Sequence, residues 1–169
     1  MRLYLAAPET VRSLVFIEPI LTPLLLQAGE DTLFAEYRAV ADDFMKRVAE
    51  DRKDEAWRVY LNLRNGDGTW ERMSDVAQRR FIDRTDRSID GFKSNLNNPT
   101  TLADCRGIDV PTMVMCGAGT TAPERRVTEI LRDEIPGCVY EVIAGAEHMS
   151  PLTHPAEVST LIRRHLSLS

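Results

Sequence analysis

The sequence lacks an apolar stretch long enough to span a membrane, and it lacks a surplus of basic residues. Its longest apolar stretch, residues 14–26, is interrupted by glutamate, threonine and proline and falls short of the roughly 20 apolar residues that a spanning helix needs. The net charge of -5 and the pI near 5.3 contrast with the basic face expected of a nucleic-acid-binding protein. We therefore predict no membrane partner and no nucleic-acid partner. The amino end has no signal-peptide pattern, which predicts a cytoplasmic protein.

Cysteine is scarce, and motifs that present a nucleophile are missing. Three cysteines without Cys-x-x-Cys spacing indicate neither a disulfide framework nor a zinc site, and no other motif implies a metal or an organic cofactor. No Gly-x-Ser-x-Gly is present. Cys116 follows an apolar run and is a conceivable nucleophile, but without the elbow pattern buried packing is favoured. Gly117-x-Gly119 is a weak signal for phosphate binding, because the P-loop lysine is missing.

What the sequence does contain is an alternation of strand and helix patterns in 169 residues that are 43% hydrophobic and 28% charged. This composition predicts one globular unit. Apolar runs at residues 11–17, 111–115 and 139–143 are typical of strands buried on both faces of a parallel sheet. Helix patterns follow at 123–133 and 152–166. The fold class is therefore predicted to be α/β.

Between the first two strands, residues 29–98 show only helix-period patterns, which predict a separate helical layer. Trp57, Trp70 and Phe81 lie in this segment and are candidates to line an apolar substrate cavity, with Met149 from the carboxyl-terminal part of the chain. Packing between the helices explains the three aromatic residues without a ligand. Met149 is explained equally well as a residue that fills space beside its loop.

His148 is the strongest catalytic candidate, because it follows a strand pattern and a short Ala-Gly turn. The carboxyl ends of strands in open α/β sheets are where chemistry is usually performed. A histidine on such a loop is suited to general-base catalysis. The other two histidines are weaker candidates, since His154 precedes Pro155 at a turn and His165 falls in the last turn of a helix, where the dipole favours a cation.

Three segments resemble, in order, the carboxyl-terminal portion of a capped, serine-type α/β-hydrolase; they read RLYLAAPETVRSLVFIEP, IDVPTMVMCGAG and IPGCVYEVIAGAEHMSPLTHPAEV. The resemblance covers almost the whole chain. It implies a partial α/β-hydrolase core at residues 1–28 and 99–169, with about three parallel strands and flanking helices, and an inserted helical cap at 29–98. In that family the order is serine, acid, histidine. The helix that would follow the serine begins here at Met1, so the resemblance implies that the nucleophile elbow lies upstream or has been lost by truncation.

The resemblance also implies roles for two residues of this sequence. His148 would be the general base, and Glu18, directly after the first strand, would be the orienting acid, as in members similar to haloalkane dehalogenases. The commoner position for the acid, after the second strand, has no carboxylate before Glu124. A carboxylate that ends an apolar strand needs a partner, and an imidazole N–H would provide one. Glu147 and Asp109 are expected to point elsewhere.

The activity implied for the complete protein is hydrolysis of a small ester or amide-type apolar substrate by a Ser-acid-His triad. This chain would supply the histidine and the acid. The alternative is an inactive, truncated remnant or a small-molecule-binding module. In either case the strand at residues 11–17 would form an exposed sheet edge, and we expect self-association through that edge.

Overall fold

The computed structural model describes residues 1–167 and consists of a small parallel sheet with helices around it. The elements, in chain order, are α1 (Arg2–Ala6), β1 (Leu14–Ile17), α2 (Pro23–Gln27), α3 (Asp31–Ala49), α4 (Lys53–Asn65), α5 (Asp75–Ile82), α6 (Thr85–Leu96), α7 (Leu102–Arg106), β2 (Thr112–Gly117), α8 (Ala122–Glu134), β3 (Val139–Ile143), α9 (Ser150–Thr153) and α10 (Pro155–Ser167). A short 3-10 helix, Pro8–Thr10, precedes β1. Among these residues, no helix is both long and apolar enough to cross a bilayer.

The sheet contains three parallel strands in the order β1-β2-β3. Every residue of β2 is buried, as expected for the central strand of a sheet that helices cover on both faces. The predicted α/β class, with three parallel strands and flanking helices, is confirmed. The predicted start of the first strand was wrong: β1 begins at Leu14, because the N–H of Val11 bonds to the Pro8 carbonyl and closes the 3-10 turn instead.

Each face of the sheet has its own apolar core. On one face the strands pack against helices that include α1, α2 and α8, and the largest buried side chains there include Leu24, Leu25, Val114 and Leu131. On the other face Met113, Met115 and Ile143 pack with Val158 of α10. The last helix was predicted as one element from residue 152 to 166. It is instead divided at Pro155, which begins α10 after the short α9, since proline at the first turn of a helix leaves no N–H to satisfy.

Helices α3 to α6 form a layer of their own, here called the helical layer, with an aromatic core. Its buried members include Tyr37, Phe44, Trp57, Trp70 and Phe92. Phe44 contacts the ring of Trp57 at 5.0 Å in a T-shaped arrangement, a geometry that aromatic pairs prefer. Ile20, which follows β1, and Met149, which follows β3, pack against the same core, so the helical layer lies over the carboxyl ends of the strands.

Candidate active site

The residues of the candidate site come together where the parallel strands end. Glu18 directly follows β1, and His148 lies on the loop between β3 and α9, 130 positions further along the chain. The Nδ1 atom of His148 is 2.6 Å from Oε2 of Glu18. The structure therefore brings together the two residues that the sequence singled out as base and acid.

Glu18 is buried, at 3% exposure, but its carboxylate is fully hydrogen-bonded. The backbone N–H of Gly117 donates to Oε1 at 2.7 Å, and the hydroxyl of Thr120 donates to Oε2 at 2.7 Å. Burial alone would raise the pKa of Glu18, but the hydrogen bonds from His148, Gly117 and Thr120 outweigh it and lower that pKa. Glu18 is thus an ionised acceptor at neutral pH.

The backbone of Glu18 has an unusual conformation for a residue with a side chain. Its φ angle is 43°, in the left-handed region, where a non-glycine residue costs about 1–3 kcal/mol. Its N–H still completes the sheet by donating to the Met115 carbonyl at 3.0 Å. The chain turns sharply at Glu18 immediately after this last ladder bond. Strain of this kind concentrates at functional sites.

Two glycines of the segment after β2 allow the histidine loop to approach. A Cβ atom at Gly117 would overlap the carbonyl oxygens of Ala146 and Glu147, and a Cβ at Gly119 would overlap the Glu147 carboxylate. The N–H of Gly119 donates to the Ala146 carbonyl at 2.9 Å. The Gly-x-Gly pattern that gave a weak phosphate signal therefore serves to pack the loop that carries His148.

The two imidazole nitrogens of His148 have different partners, since Nδ1 contacts Glu18 and Nε2 lies near Arg64. An ionised carboxylate can only accept, so Nδ1 carries the hydrogen of the bond to Glu18. In the neutral ring the lone pair is then on Nε2. The side chain is 21% exposed, which is enough for Nε2 to meet a small reactant. This arrangement can remove a proton and hold the resulting imidazolium against Glu18.

An arginine that the sequence analysis missed also contacts His148. Arg64, at the end of α4, is 2% exposed, and its Nη2 atom is 3.2 Å from Nε2 and 3.4 Å from Nδ1 of the histidine. Its Nη1 atom forms an ion pair with the equally buried Glu124. A signal was present, because Arg64 follows Trp57 and Leu61 at the spacing of a buried helical stripe, where an apolar residue is expected.

The predicted substrate-binding residues are placed in or beside the aromatic core. Trp57 and Trp70 are buried at 5% and 3% exposure, and Phe81 and Met149 pack against them in the same cluster. Trp57 also lines a cavity of about 170 Å³ between α4 and α6, while its indole N–H donates to the Thr85 hydroxyl at 3.0 Å. Only Trp57 of the four therefore lines a described cavity, and packing accounts for the positions of the others.

The remaining candidates lie away from the imidazole. Cys116 is fully buried, and its Sγ atom is 3.2 Å from the Tyr140 hydroxyl. Asp109 accepts a hydrogen bond from the hydroxyl of Tyr4 at 2.6 Å, at the amino end of β2. Across residues 1–167 no group of three or more His, Cys, Asp or Glu side chains could hold a metal ion.

Several solved structures are similar to this chain, and they include an alpha/beta hydrolase and a meta-cleavage product hydrolase. Rv0554 from Mycobacterium tuberculosis matches 98% of this chain and 60% of its own, with a TM-score of 0.59 and 18% identity. An alpha/beta hydrolase from Sphaerobacter thermophilus matches 96% of this chain and 62% of its own, with a TM-score of 0.53 and 19% identity. The meta-cleavage product hydrolase CumD from Pseudomonas fluorescens matches 68% and 45%, with a TM-score of 0.51 and 12% identity.

These likenesses define the fold. The chain has part of the α/β-hydrolase fold, and it spans less than two thirds of the length of the similar structures. No protein-family profile matches the sequence, and no curated protein matches it.

Proposed function

We propose that this chain supplies the general base and the orienting acid of a hydrolase that cleaves small, apolar esters or amides. The observation that carries the proposal is the hydrogen bond between His148 and Glu18 at the carboxyl end of a parallel sheet. Glu18 is buried, is bonded by three donors and has a left-handed backbone. A surface ion pair would need none of these features.

In this proposal Nε2 of His148 takes a proton from an attacking hydroxyl group. Glu18 accepts the hydrogen bond from Nδ1–H, holds the ring in one tautomer and stabilises the imidazolium that forms. A serine of the complete protein would supply this hydroxyl, since the 169 residues contain no Gly-x-Ser-x-Gly. Without that serine, water is the only partner for the base.

The segment at residues 29–98 acts as the cap of this site. It lies over the strand ends, and its aromatic core excludes water from the region around His148. Exclusion of water strengthens the electrostatic contacts that stabilise a developing charge. The cavity beside Trp57 is lined by the aromatic residues Trp57, Tyr60 and Phe92 together with Ser88, Gly91 and Asn95.

The outer edge of β1 has no partner strand among the residues that the structure describes. Leu14 and Glu18 donate their N–H groups to β2, so the alternation of a parallel ladder points the N–H and C=O groups of Val15 and Ile17 outward. An unpaired edge of this kind recruits other chains. We expect the 169-residue chain to self-associate, which light scattering would detect as a mass above that of the 19.1 kDa monomer.

The experiment assays the purified chain with p-nitrophenyl esters of short and medium acyl length. We expect slow hydrolysis without an initial burst, and we expect His148→Ala to remove nearly all of the excess over background, since a positioned base contributes roughly 10²–10⁴-fold. His154→Ala is the matched control and retains the parent rate. A fluorophosphonate probe tests for an activated serine and is expected to leave the chain unlabelled.

Two results would contradict the proposal in different ways. Hydrolysis that is equal in the parent and in His148→Ala would remove the catalytic role of this histidine. A burst accompanied by fluorophosphonate labelling would place the nucleophile on one of the chain's own serines and would refute its supply from elsewhere.

A further inference from the structure

The end of helix α4 contacts the histidine loop through two consecutive residues. Arg64 lies against the ring of His148, and Oδ1 of Asn65 accepts the backbone N–H of the next residue, Met149, at 3.1 Å. The side-chain N–H of Asn65 donates to the Leu61 carbonyl of its own helix at 3.3 Å. One contact therefore reaches the imidazole and the other reaches the backbone beside it.

The two distances from Arg64 fix where its amino group lies. Nη2 is 3.2 Å from Nε2 and 3.4 Å from Nδ1. The lone pairs of the two ring nitrogens point in different directions within the ring plane. An atom that is almost equidistant from both nitrogens therefore lies on the axis of neither lone pair. A position in the plane would collide with ring atoms. The guanidinium therefore lies against the ring face and not on the in-plane axis of the Nε2 lone pair.

Arg64 is itself held from two further sides. Its Nη1 pairs with Glu124 in the first turn of α8, and its guanidinium carbon is 5.2 Å from the centre of the Tyr60 ring. Both charged residues are 2% exposed. A buried ion pair is a weak source of stability, because apolar residues of similar volume often serve as well. Arg64 of this ion pair contacts the imidazole of His148. An apolar pair could not make that polar contact.

We infer that Arg64 and Asn65, here called the α4 clamp, are positioning residues for His148. The inference rests on the proposed function, in which His148 is the base. Asn65 fixes the loop backbone, and the planar guanidinium stops the ring from turning away from Glu18. The clamp belongs to the helical layer, so the orientation of the base depends on the docking of this layer over the sheet.

The experiment reads the ring nitrogens of His148 by ¹⁵N NMR in the full chain, whose three histidines are assigned with His148→Ala and His154→Ala. The test variant is R64M combined with E124L, which replaces the ion pair by an apolar pair and preserves folding. R64K is the conservative variant, since it keeps the charge but lacks the planar group. R58M is the matched control, because Arg58 is an exposed residue of the same helix.

We expect one set of signals in the parent and in R58M, with the hydrogen on Nδ1 and the lone pair on Nε2. In the double variant and in R64K we expect averaged ring-nitrogen signals that indicate two ring states. Unchanged signals in the double variant would overturn the inference. The same NMR result without any His148-dependent ester hydrolysis would support the clamp and count against the proposed function alone.

Discussion

The sheet edge that holds His148 and the aromatic core of the helical layer are both buried, but they are assembled in opposite ways. At the sheet edge Glu18, Gly117, Thr120 and His148 come from three separate parts of the chain and are joined by directed hydrogen bonds. In the helical layer the contacts between aromatic rings are apolar, and they join residues of α3 to α6.

The two regions should therefore respond differently to amino-acid substitutions. Apolar packing is roughly proportional to the area buried, so the aromatic core should lose stability in proportion to the atoms removed. The hydrogen bonds at the sheet edge depend on the orientation of their groups. A substitution of a few atoms there should therefore affect the rate of hydrolysis more than the stability of the fold. The α4 clamp joins the two regions by polar contacts, because Arg64 and Asn65 extend from the helical layer to the histidine loop.

The largest loss of stability is expected from Trp57→Ala. The indole is 5% exposed and contacts the rings of Phe44, Tyr60 and Phe81, and truncation of a buried tryptophan costs about 3–5 kcal/mol. Urea unfolding followed by circular dichroism would measure it. Val76→Ala, at a side chain that is 64% exposed, should change stability by less than about 0.5 kcal/mol. Equal effects of the two substitutions would contradict the assignment of Trp57 to the core.

A smaller loss is expected from Gly117→Ala, because the new methyl group would overlap the carbonyl oxygens of Ala146 and Glu147. Overpacking of this kind costs about 1–3 kcal/mol, and the displaced loop should also reduce His148-dependent hydrolysis. Gly91→Ala is the matched control, and its expected effect on stability has the opposite sign. Gly91 lies inside α6 with open space around it, so alanine there should stabilise the protein by about 0.5–1 kcal/mol. Denaturant midpoints of the two variants on opposite sides of the parent would support both assignments.

The smallest effect is a pH dependence that Glu18 contributes to stability. Because folding lowers the pKa of Glu18, its contribution is present above the ordinary carboxyl pKa of 4.5 and is lost as the pH falls through the lower folded value. The difference in unfolding free energy between the parent and Glu18→Gln should therefore shrink as the pH is lowered from neutral to below 4.5. A difference that stays constant or grows in acid would show that the charge of Glu18 is not stabilised by its donors.

The sequence was sufficient to predict the elements that a simple pattern produces. The apolar run that forms β2 and the helix-period segment that forms α3 to α6 were both visible, since each pattern covers many residues. The pair of His148 and Glu18 was predicted from the resemblance, which put both residues after strands, and parallel strands bring their carboxyl ends to one edge. The roles of the two residues in catalysis remain predictions.

Features that depend on a single contact were not predictable. The contact of Arg64 with His148 depends on how the helical layer docks on the sheet, which no local sequence pattern specifies. The left-handed backbone of Glu18 has no sequence signal, since glutamate does not favour that region. Thr120 also has no sequence signal, although its hydroxyl is one of the three donors to Glu18.

The most direct test of the account is a double-mutant cycle on the rate of p-nitrophenyl ester hydrolysis, with Glu18→Gln, His148→Ala and the two combined. If Glu18 acts only by orienting His148, each single variant lowers the rate and Glu18→Gln has no further effect once His148 is removed. The predicted result is a combined variant equal to His148→Ala. Losses that multiply independently in the combined variant would contradict the coupling of acid and base on which the account depends.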